Sequence, residues 1–423
     1  MVVLEVPDLV KDKVSPRALD TLNKVRQFVE QECIPAETEY ERALDAQTDR
    51  FGAVPAVMEQ LKAKAKARGL WNLFLPSYYN EGAGFTNLEY ALMAEQMGRC
   101  IISAEAMNCA APDTGNMEVF AKYANEEQKK RWLVPLLNGE IRSAFCMTEK
   151  GISSSDATNI QMEIRREGNE YVLNGVKWFA SGAGDPRCEV LLVMGKTNTS
   201  PGVSAYKQQS VVIVPARHPG VEIVRALKVF GYDDAPHGHM EINFKNCRIP
   251  VSNMVLGEGR GFEIIQGRLG PGRIHHCMRT LGAAEEALNT MIDRVTDPKR
   301  TTFGKPLRDH GTIRNWIAQS RIDIDYGRLL VLAAAHKMDV AGPKVAQTDI
   351  AKAKIECPNI CLRVCDRAIQ SFGAEGVSQD TRLARMYANN RTLRIADGPD
   401  EVHLHQLSRQ VMLSRVREKG AKL

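Results

Sequence analysis

The chain changes its hydrophobic period twice, and that order leaves few folds open to it. Up to about residue 140, apolar side chains recur every three or four positions. "RALDTLNKVRQFVEQECIPAE" sets Leu19, Leu22, Val25, Phe28 and Val29 on one stripe, and "AVMEQLKAKAKARGLW" and "EYALMAEQMGR" repeat the pattern. A helix turns once every 3.6 residues, so such stripes are faces that helices bury. "ANEEQKKRWLVPLLNGE" predicts a further helix, ended by Pro135 and Gly139. From "SAFCMTEKG" to about residue 255 the runs shorten and become strand-like: "QMEIRREGNEYVLNGVKWFASG" reads strand, Gly-Asn turn, strand, followed by "EVLLVMGK", "QSVVIVPA", "VEIVRAL" and "GHMEINFKNCRI". Helical spacing then returns through to "LARMYANNRTLRIAD". The pattern predicts a mainly helical α+β protein, with a helical domain over 1–143, an antiparallel β domain over 144–255 and a second helical domain over 256–423.

Several classes of function have no foothold in this pattern. The formal net charge of +5 comes from interleaved acids and bases, which gives nucleic-acid binding no compositional support. Apolar runs such as "LLVLAAA" are far shorter than the ~18–20 residues of a membrane span. A proline and then charges interrupt "MVVLEVPDLVKDKV", so a secretory signal is not expected. The terminal "AKL" is similar to a peroxisomal address, and peroxisomal location is the expectation, with mitochondrion or cytosol as the alternatives. No GxGxxG opens a βαβ unit, and neither GxxxxGK[ST] nor GxSxG occurs. The ten cysteines form no CxxC pair or zinc spacing; Cys357, Cys361 and Cys365 share one helical stripe and read as a buried face, with no metal assigned.

Five stretches could carry chemistry. In "FCMTEKGISSSDATN", Thr148, Ser153, Ser154 and Ser155 offer hydroxyls to a polar ring edge or a phosphate, or else form a solvated loop. "KWFASGAG" places Trp178 and Phe179 in the core or beside a planar cofactor. "KRTTFGKPLRDHGTI" is a basic turn in which Arg300 could hold phosphate. "IQSFGAEGVSQD" carries Gly373 and Gly376, which cap a helix or admit a ligand close to the backbone. Finally, "RIADGPDEVH" puts Asp397 just before a helix start. There it is an N-cap contributing about 1 kcal/mol, or a general base. Asp400 and Glu401 read as solvated or as facing the helix dipole.

Taken together and in this order, these stretches resemble the acyl-CoA dehydrogenase family, and the resemblance runs nearly end to end. "ADGPDEVH", "MTE" with "SSSDATN", and "GPGRIHH" look most like the branch whose dehydrogenase domains are fused to kinase-like modules. The resemblance implies a C-terminal four-helix bundle, a dimer or tetramer, FAD as cofactor, and α,β-dehydrogenation of an acyl-CoA thioester in fatty acid β-oxidation. Electrons would pass on to an electron-transfer flavoprotein, or to oxygen in an oxidase. It implies that Phe145, Met147, Thr148 and Ser155 lie along the flavin, with Trp178 and Ala180 on its other side. Arg300, Thr302 and Phe303 would meet the FAD of a neighbouring subunit, as would Gln370, Gly373 and Gly376. Arg273 matches an arginine near the CoA nucleotide. Asp397 takes the place of the family's usual catalytic glutamate, one methylene shorter. Some members carry the base near the "GPGR" motif, where this chain has Gly272. Pro399 stands where the family has an N–H that helps to polarise the thioester carbonyl, and lacks one, which leaves that task to the N–H of Asp400 or to a flavin hydroxyl. These departures motivate a third reading, a non-catalytic flavin- or acyl-CoA-binding protein. The kinase-linked branch brings 4-hydroxyacyl-CoA into view as a substrate by analogy.

Overall fold

The computed structural model describes residues 6–419, with the backbone alone at 269–271. The terminal "AKL" lies outside the described residues. Ten α-helices of ten residues or more occur among them: α1 (Pro16–Phe28), α2 (Ile34–Asp45), α3 (Ala56–Ala67), α4 (Asn87–Met97), α5 (Asp113–Tyr123), α6 (Gly261–Thr296), α7 (Gly311–Ala341), α8 (Gln347–Phe372), α9 (Leu383–Thr392) and α10 (Asp400–Glu418). Seven strands lie between α5 and α6: β1 (Arg142–Cys146), β2 (Glu163–Glu167), β3 (Glu170–Ser181), β4 (Cys188–Lys196), β5 (Gln209–Pro215), β6 (Val221–Leu227) and β7 (His239–Pro250). The order is therefore helical, β, helical. No described helix is long and apolar enough to cross a membrane.

By packing, the chain divides into two compact units. One gathers the described residues up to Pro35, Phe85–Ala104 and those from Gly272 onward; the other gathers Ala36–Gly84 and Glu105–Pro271. Hydrophobic period marks where the chain changes element type, whereas packing shares the early helices between the units and divides α6 at 271/272.

In the β-containing unit the seven strands form one sheet in the order β1-β4-β2-β3-β7-β6, with β5 also paired to β4. Most pairs are antiparallel, as expected, but β1 runs parallel to β4 and β2 meets β4 in parallel at Glu163–Lys196. The β2–β3 hairpin is a long enough crossover for such a pairing, and strand composition alone does not register it. That hairpin turns at Gly168, whose φ of +60° suits glycine, and pairs Glu167 with Glu170. "VLLVM" in β4 is buried throughout, which is why it reads as an apolar run rather than an alternation. Residues Asp113–Ala121 of α5 are likewise buried on every face. Arg142 pairs with Asp113 and with Glu105 at 2.8 Å, and Arg187 binds Glu105 at 2.7 Å and Asp185 at 2.8 Å. Burial alone would raise the Glu105 pKa, but Arg142, Arg187 and Lys62 hold it well below the carboxylate range.

In the helical unit α8 packs against α7, α9 and α10, while α4 packs against α1 and α7. All ten cysteines of the chain are buried and none is in a disulfide; Cys357, Cys361 and Cys365 form the inward face of α8. Asp339 of α7 caps α4, accepting from the N–H groups of Asn87 and Leu88 at 2.9 Å each. Arg328 of α7 ties Glu95 of α4 to Glu285 of α6 at 2.7 and 3.2 Å. Helices α4 and α6 meet backbone to backbone. A Cβ at Gly98 would overlap the Arg279 carbonyl, and one at Gly282 would overlap that of Glu95. One local expectation is corrected: Pro135 does not end its helix but sits in the first turn of Val134–Asn138, where a missing N–H costs little, and Gly139 closes that segment at φ +71°.

Candidate active site

Asp397 lies on the turn between α9 and α10, in the helical unit. Its φ is +58°, a left-handed conformation that a non-glycine residue adopts at a cost, and Gly398 follows at +101°. It is not a helix cap. α10 begins at Asp400 with Pro399 in the N-cap position, and no side chain caps it. The turn is held by its carbonyl groups: Arg273 Nε donates to Asp397 O at 3.0 Å, and His403 Nε2 lies 3.3 Å from the same oxygen. Lys354, fully buried in α8, donates to the carbonyl of Leu393 and reaches that of Gly398 at 3.5 Å. The carboxylate points elsewhere, with Oδ2 3.4 Å from His276 Nε2, and its side chain is 17% exposed. The ordinary capping role thus falls away, leaving a partly accessible acid on a strained, well-pinned turn.

The neighbours of this turn are unusually buried. Burial lowers the Lys354 pKa, partly offset by Asp397 and Asp400, and it lowers that of Arg273 as well. Burial, together with Arg273 and Lys354, pushes His403 down to about 4, so its imidazole is neutral at pH 7. Asp400, expected in solvent or facing the dipole, is instead buried and bonded to Arg394 at 2.7 Å and Asn359 at 3.2 Å. Its N–H donates to Arg394 O at 3.1 Å and is therefore committed. Lys354, His403 and His276 were not singled out in the sequence; the adjacent histidines of "GPGRIHH" were the available signal. Arg273 stands at this turn, contacting the backbone of Asp397.

The second group of candidates lies in the β-containing unit. Thr148 and Trp178 are joined by two bonds: the Thr148 hydroxyl donates to Trp178 O at 2.6 Å, and the Trp178 N–H donates to Thr148 O at 3.0 Å. The loop after β1 is thereby fastened to β3 at a bulge where Phe179 has φ +49°. Phe145, Met147, Thr148 and Trp178 are half-buried, Ser155 is exposed and Ala180 is buried. Arg268 stacks on the Phe145 ring at 4.4 Å. The loop's acid turns inward: Glu149 accepts from Lys177 Nζ at 2.7 Å and from the N–H groups of Gln161 at 2.7 Å and Met162 at 3.0 Å. With Glu149 turned inward, Thr148 and Ser155 offer hydroxyls and Phe145 and Trp178 offer rings. That donor set fits a planar, polar-edged flavin.

The remaining candidates gather beyond α6, again in the helical unit. Thr301–Thr302 and Lys305–Pro306 form a small ribbon whose tip is Phe303 and Gly304, both at positive φ. Phe303 is 95% exposed. Arg300 lies 3.6 Å from Asp297 and 3.9 Å from Glu375, and Glu375 also binds Arg294 at 2.7 Å. Gln370 is exposed at the end of α8, and Gly373 closes that helix, as a plain capping role requires. Gly376 is more demanding, since a Cβ there would lie 2.5 Å from Ile369 O.

Comparison with known proteins gives these arrangements their class. The family model "Acyl-CoA dehydrogenase, N-terminal domain" matches residues 15–140, the middle-domain model matches 144–247 and the C-terminal-domain model matches 259–412. Successive matches over nearly the whole chain define a protein of N-terminal helical, middle β and C-terminal helical domains. The chain belongs to the acyl-CoA dehydrogenase family. "Acyl-CoA dehydrogenase family member 11" of Gallus gallus is 52% identical over 97% of this chain, and the chain spans about half the length of that relative, 52%. "Probable acyl-CoA dehydrogenase FadE2" of Mycobacterium tuberculosis is 50% identical, over 94% of this chain and 95% of its own. A solved Mycobacterium abscessus structure assigned to the acyl-CoA dehydrogenases superposes with a TM-score of 0.91 at 45% identity, covering 95% of this chain and 99% of the other.

Proposed function

We propose that the protein dehydrogenates the α–β bond of an acyl-CoA thioester, Asp397 taking the α-proton as a hydride leaves the β-carbon, a reaction suited to fatty acid β-oxidation. FAD, when bound, supplies the hydride acceptor. Phe145, Met147, Thr148, Ser155, Trp178 and Ala180 would hold its ring, while Arg300, Thr302, Phe303, Gln370, Gly373 and Gly376 would meet the cofactor of another subunit. The observation that carries this reading is the state of Asp397. Its backbone is strained and pinned at the carbonyl, it caps no helix, and its carboxylate is left partly accessible.

A free aspartate, with a pKa of about 3.9, is a weak base toward a thioester α-proton. Excluding water by an acyl chain raises that value, and therefore the basicity. The chain's own machinery is suited to this work. Arg273, His403 and Lys354 secure the turn through its carbonyl groups, so the carboxylate does not have to satisfy them itself. Its reach is one methylene short of a glutamate, which makes orientation the critical quantity, since a displacement of about 1 Å can cost on the order of a hundredfold in rate.

The test is an anaerobic titration of the purified yellow protein with straight-chain, branched and 4-hydroxy acyl-CoAs. Bleaching by one of them, lost in Asp397→Asn, is the expected result. Readmitted air then separates a dehydrogenase, which stays bleached, from an oxidase. Bleaching that persists unchanged in Asp397→Asn would overturn the assignment of the base, and a flavin that no acyl-CoA bleaches would overturn the substrate class.

A further inference from the structure

The carbonyl contacts at the Asp397 turn fix the backbone but leave the two side-chain torsions of the carboxylate to be set by something else. One side chain that meets it is His276 of α6, Nε2 to Oδ2 at 3.4 Å, with 20% of the imidazole side chain exposed. That distance is at the long end of a hydrogen bond, as is common for catalytic pairs without substrate. One turn earlier on the same face of α6, Gly272 leaves the space open: a Cβ there would come no closer than 3.9 Å to Oδ2. The helix thus withdraws at 272 and returns at 276 with a ring. The adjacent His275 goes the other way. It is buried, with its ring edge-on to Tyr90 at 4.8 Å, so the two histidines divide between core and base.

We propose that His276 is the positioning residue for Asp397, its Nε2–H donating to Oδ2 and holding the short carboxylate in the one orientation from which it can reach an α-proton. An ionised carboxylate only accepts, so the pair requires the proton on Nε2. The device answers the missing methylene: where a longer acid would reach by length, this one is steered from the side. The inference rests on Asp397 being the base, and its test keeps the two apart.

Steady-state kinetics would use the acyl-CoA that bleaches the wild-type holoprotein most completely. His276→Ala should lower kcat by about 10–100-fold with KM changed less than about 2-fold, the signature of a misaimed group rather than a lost binding contact. His276→Gln, whose amide can donate from a similar place, should recover most of kcat. A second readout needs no turnover. The His276 pKa, followed by NMR in histidine-labelled protein, should fall by about one unit in Asp397→Asn, because a neighbouring carboxylate favours the imidazolium. The other charged and titratable groups at this turn, Arg273, Lys354, Arg394, Asp400 and His403, are common to both proteins. An inert Asp397→Asn beside a fully active His276→Ala overturns the role of His276. So does an unmoved His276 pKa, or a His276→Gln as slow as the alanine variant. A fully active Asp397→Asn overturns the base assignment instead. If His276→Ala fails to fold, the glutamine variant and the NMR shift decide.

Discussion

Two acids, one in each compact unit, sit near buried lysines and come to opposite ends. Glu149 spends its oxygens on Lys177 and on the N–H groups of Gln161 and Met162. It fastens a loop and has nothing left to offer a substrate. Around Asp397 the cations are sent to carbonyl oxygens, Arg273 to Asp397 O and Lys354 to Leu393 and Gly398, while the carboxylate meets an imidazole. Which oxygens the cations satisfy, rather than whether cations are near, separates an acid used as a fastener from one available as a base.

The comparison breaks most visibly at Asp397, the proposed base. Asp397→Asn should lose about 10²–10⁴ in kcat, the usual contribution of a general base, while its thermal unfolding stays close to wild type; rapid-reaction flavin reduction measures the first and calorimetry the second. Lys177→Met should do the converse. Stranding Glu149 without its buried cation costs about 3–5 kcal/mol in denaturant unfolding, with kcat per flavin kept within a few-fold.

Smaller effects appear as pH dependence, with opposite signs in the two units. Burial, opposed by Arg268 and Lys122, pushes Glu118 up to about 8, against 4.5 in an unfolded chain. The folded state holds that proton longer, so stability falls as pH rises from 4.5 to 8. Glu118→Gln should flatten this slope and gain about 1–3 kcal/mol at its alkaline end, the scale of a buried polar group left unsatisfied. His403, held near 4 against 6.5 unfolded, contributes stability that is present above pH 6.5 and lost as pH falls toward 4. Replacing it with Gln should therefore reduce the acid-side drop in melting temperature over that window, a smaller effect because other histidines titrate there too.

The helical, β, helical order was legible because period is a local property, and the Gly168-Asn169 hairpin was legible because its turn chemistry is local as well. Parallel pairing of β1 with β4 was not, since nothing near Ser143 refers to Val190. The same limit governs the site. Asp397 could be named from its turn and family resemblance, whereas Lys354 and His403 read only as parts of helical patterns until the fold brings them under that turn. Asp400 shows the error this invites: an acid in the first turn of a helix looks solvated, and here an arginine and an asparagine have drawn it inside.

The crossing of α4 and α6 constrains how this chain can vary. At most core positions a methyl group more or less is absorbed by neighbouring rotamers, but at Gly98 and Gly282 the neighbour is a carbonyl of the facing helix, which has no rotamer to change. Drift at either site would have to be accompanied by parting of the two helices, carrying with them the Arg328 ion pairs that join them. Since α6 also bears Arg273 and His276, the smallest residue in the alphabet on both sides of one crossing helps to determine where the proposed base can aim.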